Sequence, residues 1–216
     1  GKNLQRRFGG LAGDVLAEAL PKIVREFPWP KSMRWGAASA DSGSLRWVRP
    51  LHAIVATFGP ETEDPEVIRF DVGGVASGDT TFGHRFMAPK ALRISSPASY
   101  PGTLLKRGKV MADVNARRDS IRAGVTAAAA RLDGIAVIDD ALLDEVTGLV
   151  EWPVPLAGRF DPQFLELPAE VLIATMQEHQ RYFPVRDAQG KLMPWFITVS
   201  NIESRDPSQV IAGNER

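Results

Sequence analysis

The sequence has no cysteine, and this absence excludes disulfide bonds, thiolate nucleophiles and cysteine ligands for a metal. Histidine is rare, and the spacing of His52, His84 and His179 does not match a metal-binding motif. No apolar run is long enough to cross a membrane, and no signal peptide precedes the first predicted helix. The sequence therefore predicts no metal site and no membrane contact, and it is typical of a cytoplasmic protein.

Net charge is also absent, because 26 basic side chains balance 26 acidic ones. The two signs are nevertheless separated along the chain. Residues 81–131 carry ten basic and two acidic side chains, and residues 132–178 carry one basic and ten acidic. The basic block could bind a phosphate backbone, and the acidic block could bind another basic surface. Alternatively, the two blocks neutralise each other within the fold, and composition alone leaves both interpretations open.

The chain length and composition suit an ordinary globular protein. Its 216 residues are enough for one large or two small domains, and 44% of them are hydrophobic and 24% charged. The pattern predicts an α+β fold with a mixed, largely antiparallel sheet and packed helices. We expect a short helical lead-in over residues 1–30 and one α+β domain over residues 31–216. The opening Gly1 and the charged end at Glu215–Arg216 are typical of a fragment of a longer chain.

Periodicity and capping signals predict most of the individual elements. Residues 14–26, where Pro21 interrupts the pattern, and residues 115–131 have the period of amphipathic helices. A further helix is expected at 50–58, and a hairpin is expected around 33–35 and 45–48. Other strands are expected at 67–72, 91–94, 149–156 and 195–199, and other helices at 96–107, at 142–146 and after Asp206.

The stretch before the last predicted strand has an additional helical pattern. Leu172, Met176, His179 and Phe183 recur at spacings of four and three, which places them on one face of a helix. Pro184 is expected to end this helix. On that apolar face, His179 is expected to be a hydrogen-bonded core histidine rather than a ligand.

The polar segment Ser77–Phe86 is the first candidate for a binding site. It places glycines beside hydrogen-bonding side chains, so His84, Arg85 and nearby backbone N–H groups could hold a phosphate or the end of a nucleotide chain. No phosphate-loop signature is present. The alternative is a polar loop held in place by an ion pair between Asp79 and Arg85.

The second candidate is the basic face of the helix at 115–131. Arg117, Arg118 and Arg122 lie on this helix, and the spacing of Arg118 and Arg122 suits contact with a phosphate backbone. The alternative is a solvated face on which Asp119 pairs with Arg122. No Ser–His–Asp or Cys–His arrangement can be assembled, so the sequence predicts no catalytic residue.

Several longer stretches resemble a known family. The similarity is to the β subunit of bacterial heterotetrameric glycyl-tRNA synthetase, and it runs in order from Phe27 to the C-terminus. The loops at 37–44 and 60–66 depart from it, and residues 1–7 match nothing in it. The stretches that carry it are FPWPKSMRW, RWVRPLHAIVATFG, SGDTTFGHRF, LLDEVTGLVEWPVPLAGRFD, EHQRYFPV, FITVSNIES and GNER.

The resemblance implies a fold like the B3/B4 module of phenylalanyl-tRNA synthetase, an α+β unit that edits mischarged tRNA in that enzyme. It implies that the β subunit recognises glycine tRNA, while a separate α subunit activates glycine with ATP and magnesium. This chain by itself is then expected to hold no cofactor and to be inactive. Its expected partners are glycine tRNA, the α subunit and the remainder of the β subunit.

Three roles for the chain remain open. The first is tRNA binding and scaffolding, with contacts expected from His84, Arg85, Arg117, Arg118 and Arg122. The second is hydrolytic editing of mischarged tRNA near His84, which would need a positioned water molecule. The third is a purely structural interface through the acidic block.

Overall fold

A computed structural model describes residues 12–60 and 64–215. Contacts between Cα atoms divide the chain into two compact units. Unit 1 comprises the chain up to Phe82 together with Lys90–Thr103, and unit 2 comprises Gly83–Pro89 together with the chain from Leu104 onwards. The predicted α+β class is confirmed. These units are defined by contacts and do not test the predicted domains at residues 1–30 and 31–216. That domain division stays a prediction.

Unit 1 combines a long first helix, α1 (Ala12–Glu26), with short strands and a short second helix, α2 (Ser99–Thr103). Pro21 lies inside α1 without interrupting it. The strands are β1 (Ile54–Val55), β2 (Thr57–Phe58), β3 (Glu66–Val67), β4 (Asp71–Val72), β5 (Val75–Gly78), β6 (Thr80–Phe82) and β7 (Ala91–Arg93). Strand β5 pairs in parallel with β1 and antiparallel with β4, while β2–β3 and β6–β7 are antiparallel pairs.

The predicted helix at 50–58 is wrong, because these residues form β1 and β2 instead. Ile54, Val55 and Thr57 are β-branched, and their restricted side chains favour strands over helices. His52 consequently lies in the irregular segment before β1 and not on a helix.

The predicted hairpin near the start of unit 1 closes through a single antiparallel bridge between Met33 and Trp47. Trp47 also packs with two other aromatic rings, since its centroid lies 5.7 Å from that of Phe27 and 5.0 Å from that of Trp29. The rings of Phe27 and Trp29 are 4.6 Å apart. These tryptophans therefore stabilise the fold of this segment by contacting one another.

Unit 2 is built on one four-stranded antiparallel sheet. In chain order, its main elements are a helical turn (Leu104–Gly108), α3 (Val114–Ala130), β8 (Ile135–Ala136), α4 (Asp140–Leu149), β9 (Val154–Arg159), a 3-10 turn (Pro162–Glu166), α5 (Ala169–Ala174), a wider helical turn (Thr175–His179), β10 (Phe183–Arg186), β11 (Leu192–Ser200) and α6 (Pro207–Asn214). The sheet order is β8-β10-β11-β9. Strand β9 lies at the edge of the sheet, where its prolines are tolerated, but it begins five residues later than the predicted 149–156 because α4 continues through Leu149.

Helices α3 and α4 pack against this sheet. Both begin at an aspartate cap, since the side chain of Asp113 accepts from Ala116 N–H and that of Asp139 accepts from Leu142 N–H. The predicted buried stripe of α3 is confirmed over Ile121 and its apolar neighbours at helical spacing. The buried core comprises Ile121, Val125, Ala128, Ala129, Leu142, Leu143, Val146, Val150, Phe183, Val185 and Ile197.

The helix before β10 ends earlier than its apolar period predicts. Helical structure stops at His179, and Arg181 has a positive φ of 59°, which turns the chain out of the helix. Phe183 and Pro184 therefore belong to β10. His179 is exposed, so the expectation of a core histidine is wrong, whereas Phe183 is fully buried.

Candidate nucleic-acid interface

The loop Gly83–Pro89 is anchored within unit 2 by the buried imidazole of His84. Its Nε2 lies 2.7 Å from the backbone oxygen of Asn201, and its Nδ1 lies 3.3 Å and 3.2 Å from the backbone nitrogens of Phe86 and Met87. Because backbone N–H groups can only donate, Nδ1 accepts from them and Nε2–H donates to the carbonyl. Both ring nitrogens are therefore used inside the protein, and neither is left to activate a water molecule.

Gly83 lets this loop lie directly against the turn that ends at Gly108. The backbone N–H of His84 donates to the oxygen of Gly108 at 2.6 Å. A Cβ at position 83 would lie 2.4 Å from that oxygen, so only glycine fits here. Gly83 and His84 thus hold the loop in place, and a contact of His84 with tRNA stays a prediction.

The two residues after His84 are exposed. Phe86 leaves 70% of its surface exposed, and the guanidinium carbon of Arg85 lies 5.4 Å from the centroid of its ring. Asp79 pairs with Arg93 at 2.9 Å inside unit 1, and its alternative ion pair with Arg85 of unit 2 stays a prediction. That hydrogen bond from Arg93 holds the pKa of the Asp79 carboxyl below its usual range. Arg85 has no carboxylate partner among the described residues of unit 2.

Asn201 connects the loop to the segment between α4 and β9. Its side-chain oxygen accepts from the backbone N–H groups of Glu151 and Trp152 at 2.8 Å and 2.9 Å. Its backbone oxygen accepts from His84. The residue was not among the predicted site residues, although it stands in the family-like stretch FITVSNIES. Its position directly after a strand indicated only a turn.

A second aromatic side chain lies beside this connection. The Nε1–H of Trp152 donates to Glu203 Oε1 at 2.7 Å, and Lys109 Nζ lies 4.7 Å from the indole centroid and 3.6 Å from the same carboxylate oxygen. Lys109 has a positive φ of 53°, an uncommon conformation for a residue with a side chain. The indole N–H of Trp152 and the carboxylate of Glu203 therefore both have partners inside unit 2.

The three arginines of α3 contact the protein's own acceptors. Arg117 donates to the backbone oxygens of Thr147 and Met111.

Arg118 contacts Asp144 and lies 2.8 Å from Asp140, and Arg122 lies 2.5 Å from the same oxygen of Asp140. Arg122 therefore pairs with Asp140 of α4, whereas the alternative drawn from the sequence paired it with Asp119. The neutralising interpretation is confirmed for this part of the basic and acidic blocks. Contact of Arg117, Arg118 and Arg122 with tRNA stays a prediction.

Three further cations of the basic block have no such partner in the described part of the chain. Lys106 and Arg107 are exposed on the helical turn Leu104–Gly108, and Arg85 is exposed on the loop that touches this turn. None of the three is paired with a carboxylate among residues 12–60 and 64–215. These three cations and Phe86 are exposed on two segments that meet where His84 N–H donates to Gly108 O, and the four residues are here called the Phe86 surface.

Comparison with known proteins identifies the relatives of this chain. A family model described as glycyl-tRNA synthetase beta subunit matches residues 5–216. The chain belongs to this β-subunit family. It is similar to the glycine–tRNA ligase beta subunit of Hahella chejuensis, at 48% identity over 209 residues, or 95% of this chain and 29% of the relative. It is also similar to those of Marinobacter nauticus, at 48% over 94% of this chain and 28% of the relative, and Tolumonas auensis, at 49% over 96% and 28%.

This member of the β-subunit family spans less than a third of the length of those relatives. Within its described residues, no three His, Asp or Glu side chains are grouped so that they could hold a metal ion. No described helix has both the length and the apolar content needed to cross a bilayer. A groove of about 700 Å³ in unit 1 is lined, among the described residues, by apolar side chains and the hydroxyls of Thr57, Thr81 and Tyr100.

The ion pairs of Arg118 and Arg122 with Asp140 are expected to affect the stability of this β-subunit chain in acid. Hydrogen bonds from Arg122 and then Arg118 hold the pKa of Asp140 below its usual range. A carboxyl whose folded-state pKa is lowered stabilises the fold above its ordinary pKa, and that contribution is lost as pH falls through the lowered value. Asp140→Asn is therefore expected to reduce the loss of thermal stability between neutral pH and about pH 3.

Asp119→Asn is the matched control for this measurement, since Asp119 is exposed on α3 and has no ion pair among the described residues. Its thermal unfolding should retain the pH dependence of the wild type. An equal change in both variants would show that general charge, and not the contact of Asp140 with Arg118 and Arg122, determines the acid sensitivity.

Proposed function

We propose that this chain is part of a glycine–tRNA ligase β subunit and supports the attachment of glycine to its tRNA by binding the tRNA. Membership of the β-subunit family supports this role, because the matched relatives are named for that reaction. Glycine activation with ATP and magnesium belongs to the α subunit in this proposal. The α subunit and the remainder of β are the expected protein partners, and the cytoplasm, where tRNA is charged, is the expected location.

The Phe86 surface is the observation that favours RNA binding over a purely structural role. Lys106 and Arg107 are exposed and have no carboxylate partner among the described residues, whereas Arg118 and Arg122 already contact carboxylates of α4. Cations that neutralise RNA phosphates release bound counterions, and uncompensated cations lose no existing partner when they do so. Arg85, Lys106 and Arg107 are therefore the preferred contacts, and the predicted arginines of α3 are the competing set.

A salt series separates the two sets of contacts. The binding of glycine tRNA to the chain should weaken as salt rises, with a logarithmic slope of about 0.7–0.9 for each phosphate contact. Lys106→Ala/Arg107→Ala is expected to weaken binding and to reduce that slope by roughly 1.5. Arg118→Ala/Arg122→Ala, the control of equal charge change, is expected to leave the slope unchanged.

Two outcomes would contradict this assignment. Loss of the slope in the α3 variant alone would move the RNA contact to the arginines that the sequence predicted. Absence of tRNA binding by the wild type would favour the purely structural role through contacts with the α subunit or the rest of β.

Kinship with the B3/B4 module of phenylalanyl-tRNA synthetase remains part of the proposal. The antiparallel four-stranded sheet of unit 2, with α3 and α4 packed on it, supports that kinship. The editing role is less favoured, because both ring nitrogens of His84 already form hydrogen bonds with backbone groups of the chain. Editing in this family member would need a different group to position water.

A further inference from the structure

We propose that the Phe86 surface binds unpaired RNA nucleotides, with a base stacked on the ring of Phe86 and phosphates contacted by Arg85, Lys106 and Arg107. This proposal rests on the proposed tRNA-binding function and adds to it the kind of RNA structure that is recognised. It commits to single-stranded segments of the RNA rather than to its duplex arms.

The first argument is the exposure of Phe86. At 70% it is the most exposed of the large hydrophobic side chains in the described chain. An apolar ring at the surface forgoes the stabilisation that burial would give, and proteins that bind single-stranded nucleic acids stack bases on such rings beside basic groups. Most of the ring surface is therefore open to a partner.

The second argument is that the loop is already ordered. Phe86 N–H donates to His84 Nδ1 at 3.3 Å, and the two rings lie with centroids 6.2 Å apart. His84 is in turn held by Asn201 at 2.7 Å and by Gly108 at 2.6 Å. A ring on an anchored backbone loses less conformational entropy on binding than a ring on a free loop. The hydrogen bonds of His84 thus prepare Phe86 for stacking.

The third argument concerns why the partner is unpaired RNA. A base can stack on a phenylalanine ring only if one of its faces is free, and the faces of bases inside a duplex are covered by their neighbours. The deep, narrow major groove of an RNA duplex also excludes side chains from the base edges. Arg85 lies 5.4 Å from the Phe86 ring centroid, so a stacked nucleotide would lie close to a cation.

Trp152 is not part of the proposed stacking surface. It is only partly exposed, one of its faces is covered by Lys109 at 4.7 Å, and its N–H is bonded to Glu203. Glu203 is an acidic residue beside the loop, since its backbone N–H lies 3.4 Å from Met87 Sδ, and the contact of its carboxylate with Lys109 at 3.6 Å reduces the repulsion of an RNA phosphate.

The test compares the binding of a short single-stranded RNA, an RNA duplex of the same length and glycine tRNA at one fixed salt concentration. Fluorescence anisotropy with the full chain gives the three dissociation constants. Phe86→Ala is expected to weaken binding of the single strand on the order of tenfold, because base stacking on an aromatic ring is lost. Binding of the duplex is expected to stay as in the wild type, and Phe86→Trp is expected to keep single-strand binding because it keeps a ring.

Phe164→Ala is the matched control, since Phe164 is also an exposed phenylalanine of unit 2, at 46%. It should bind all three RNAs like the wild type, and all variants should keep the wild-type thermal unfolding midpoint. Unchanged single-strand binding in Phe86→Ala would overturn the stacking proposal, and so would an equal loss for single strand and duplex. With either of these outcomes, the proposed tRNA-binding function still stands if the wild type binds tRNA and that binding weakens as salt rises. Absence of tRNA binding by the wild type would overturn both.

Discussion

Phe183→Ala is expected to lower the free energy of unfolding by about 3–5 kcal/mol. The side chain is fully buried in the core of unit 2 together with Ile121, Leu143 and Ile197. It lies on β10, which has a strand paired on each side in the sheet. Removing the ring loses apolar burial and leaves a cavity that strands held by hydrogen bonds on both sides cannot close.

Denaturant unfolding followed by circular dichroism measures this loss. Phe86→Ala removes the same ring from a site that leaves 70% of the residue exposed, and its effect is expected to be within about 0.5 kcal/mol of zero. A loss below about 1 kcal/mol in Phe183→Ala would be far under the range for a buried ring and would contradict its place in the core. Because a native domain is stable by only about 5–15 kcal/mol, the expected change is a large share of the total.

Asn201→Ala is expected to lower the free energy of unfolding by about 2–4 kcal/mol. The substitution removes the oxygen that accepts from the backbone N–H groups of Glu151 and Trp152, which are partly buried. A buried donor without an acceptor costs about 1–3 kcal/mol, and here two donors lose the same acceptor. The segment that carries Trp152 and the carbonyl that holds His84 are expected to lose their relative position as well.

Asn201→Asp tests whether the acceptor oxygen is responsible, because it keeps an oxygen at the same place. It is expected to retain most of the stability that the alanine variant loses. Asn115→Ala, on the exposed first turn of α3, is the matched control and should change stability little. Equal losses in Asn201→Asp and Asn201→Ala would show that the two backbone contacts are not the source of the effect.

Elements with strong local signals were predicted correctly. The helix α3 has apolar residues at helical spacing from Ile121 to Ala129, and α4 and α6 start at Asp139 and Asp206, whose side chains accept from backbone N–H groups of the first turn. The edge position of β9 follows from its prolines, which cannot donate to a neighbouring strand. In each case the decisive interaction lies within a few residues in the chain, so the sequence contains it.

Elements with short apolar patterns were predicted less well. Residues 54–58 and Phe183 could fit either a helix or a strand by spacing alone. Pairing decides between them, since Ile54 lies opposite Ser77 in the sheet and Phe183 lies opposite Ile197. These partners are distant in the chain, and a local period carries no information about them.

The sequence by itself determined the β-subunit family, the α+β class, the long capped helices and the separation of basic from acidic blocks. Only the tertiary structure decided which charged side chains pair with other groups of the protein itself. Arg122 is three residues from Asp119 in the chain but pairs with Asp140, and His84 is held by Asn201, 117 residues later. Charge and hydrogen-bonding capacity belong to a residue type, whereas the partner that satisfies them depends on distances that exist only after folding. For that reason Arg85, Lys106 and Arg107 replace the arginines of α3 as the preferred candidates for RNA contact.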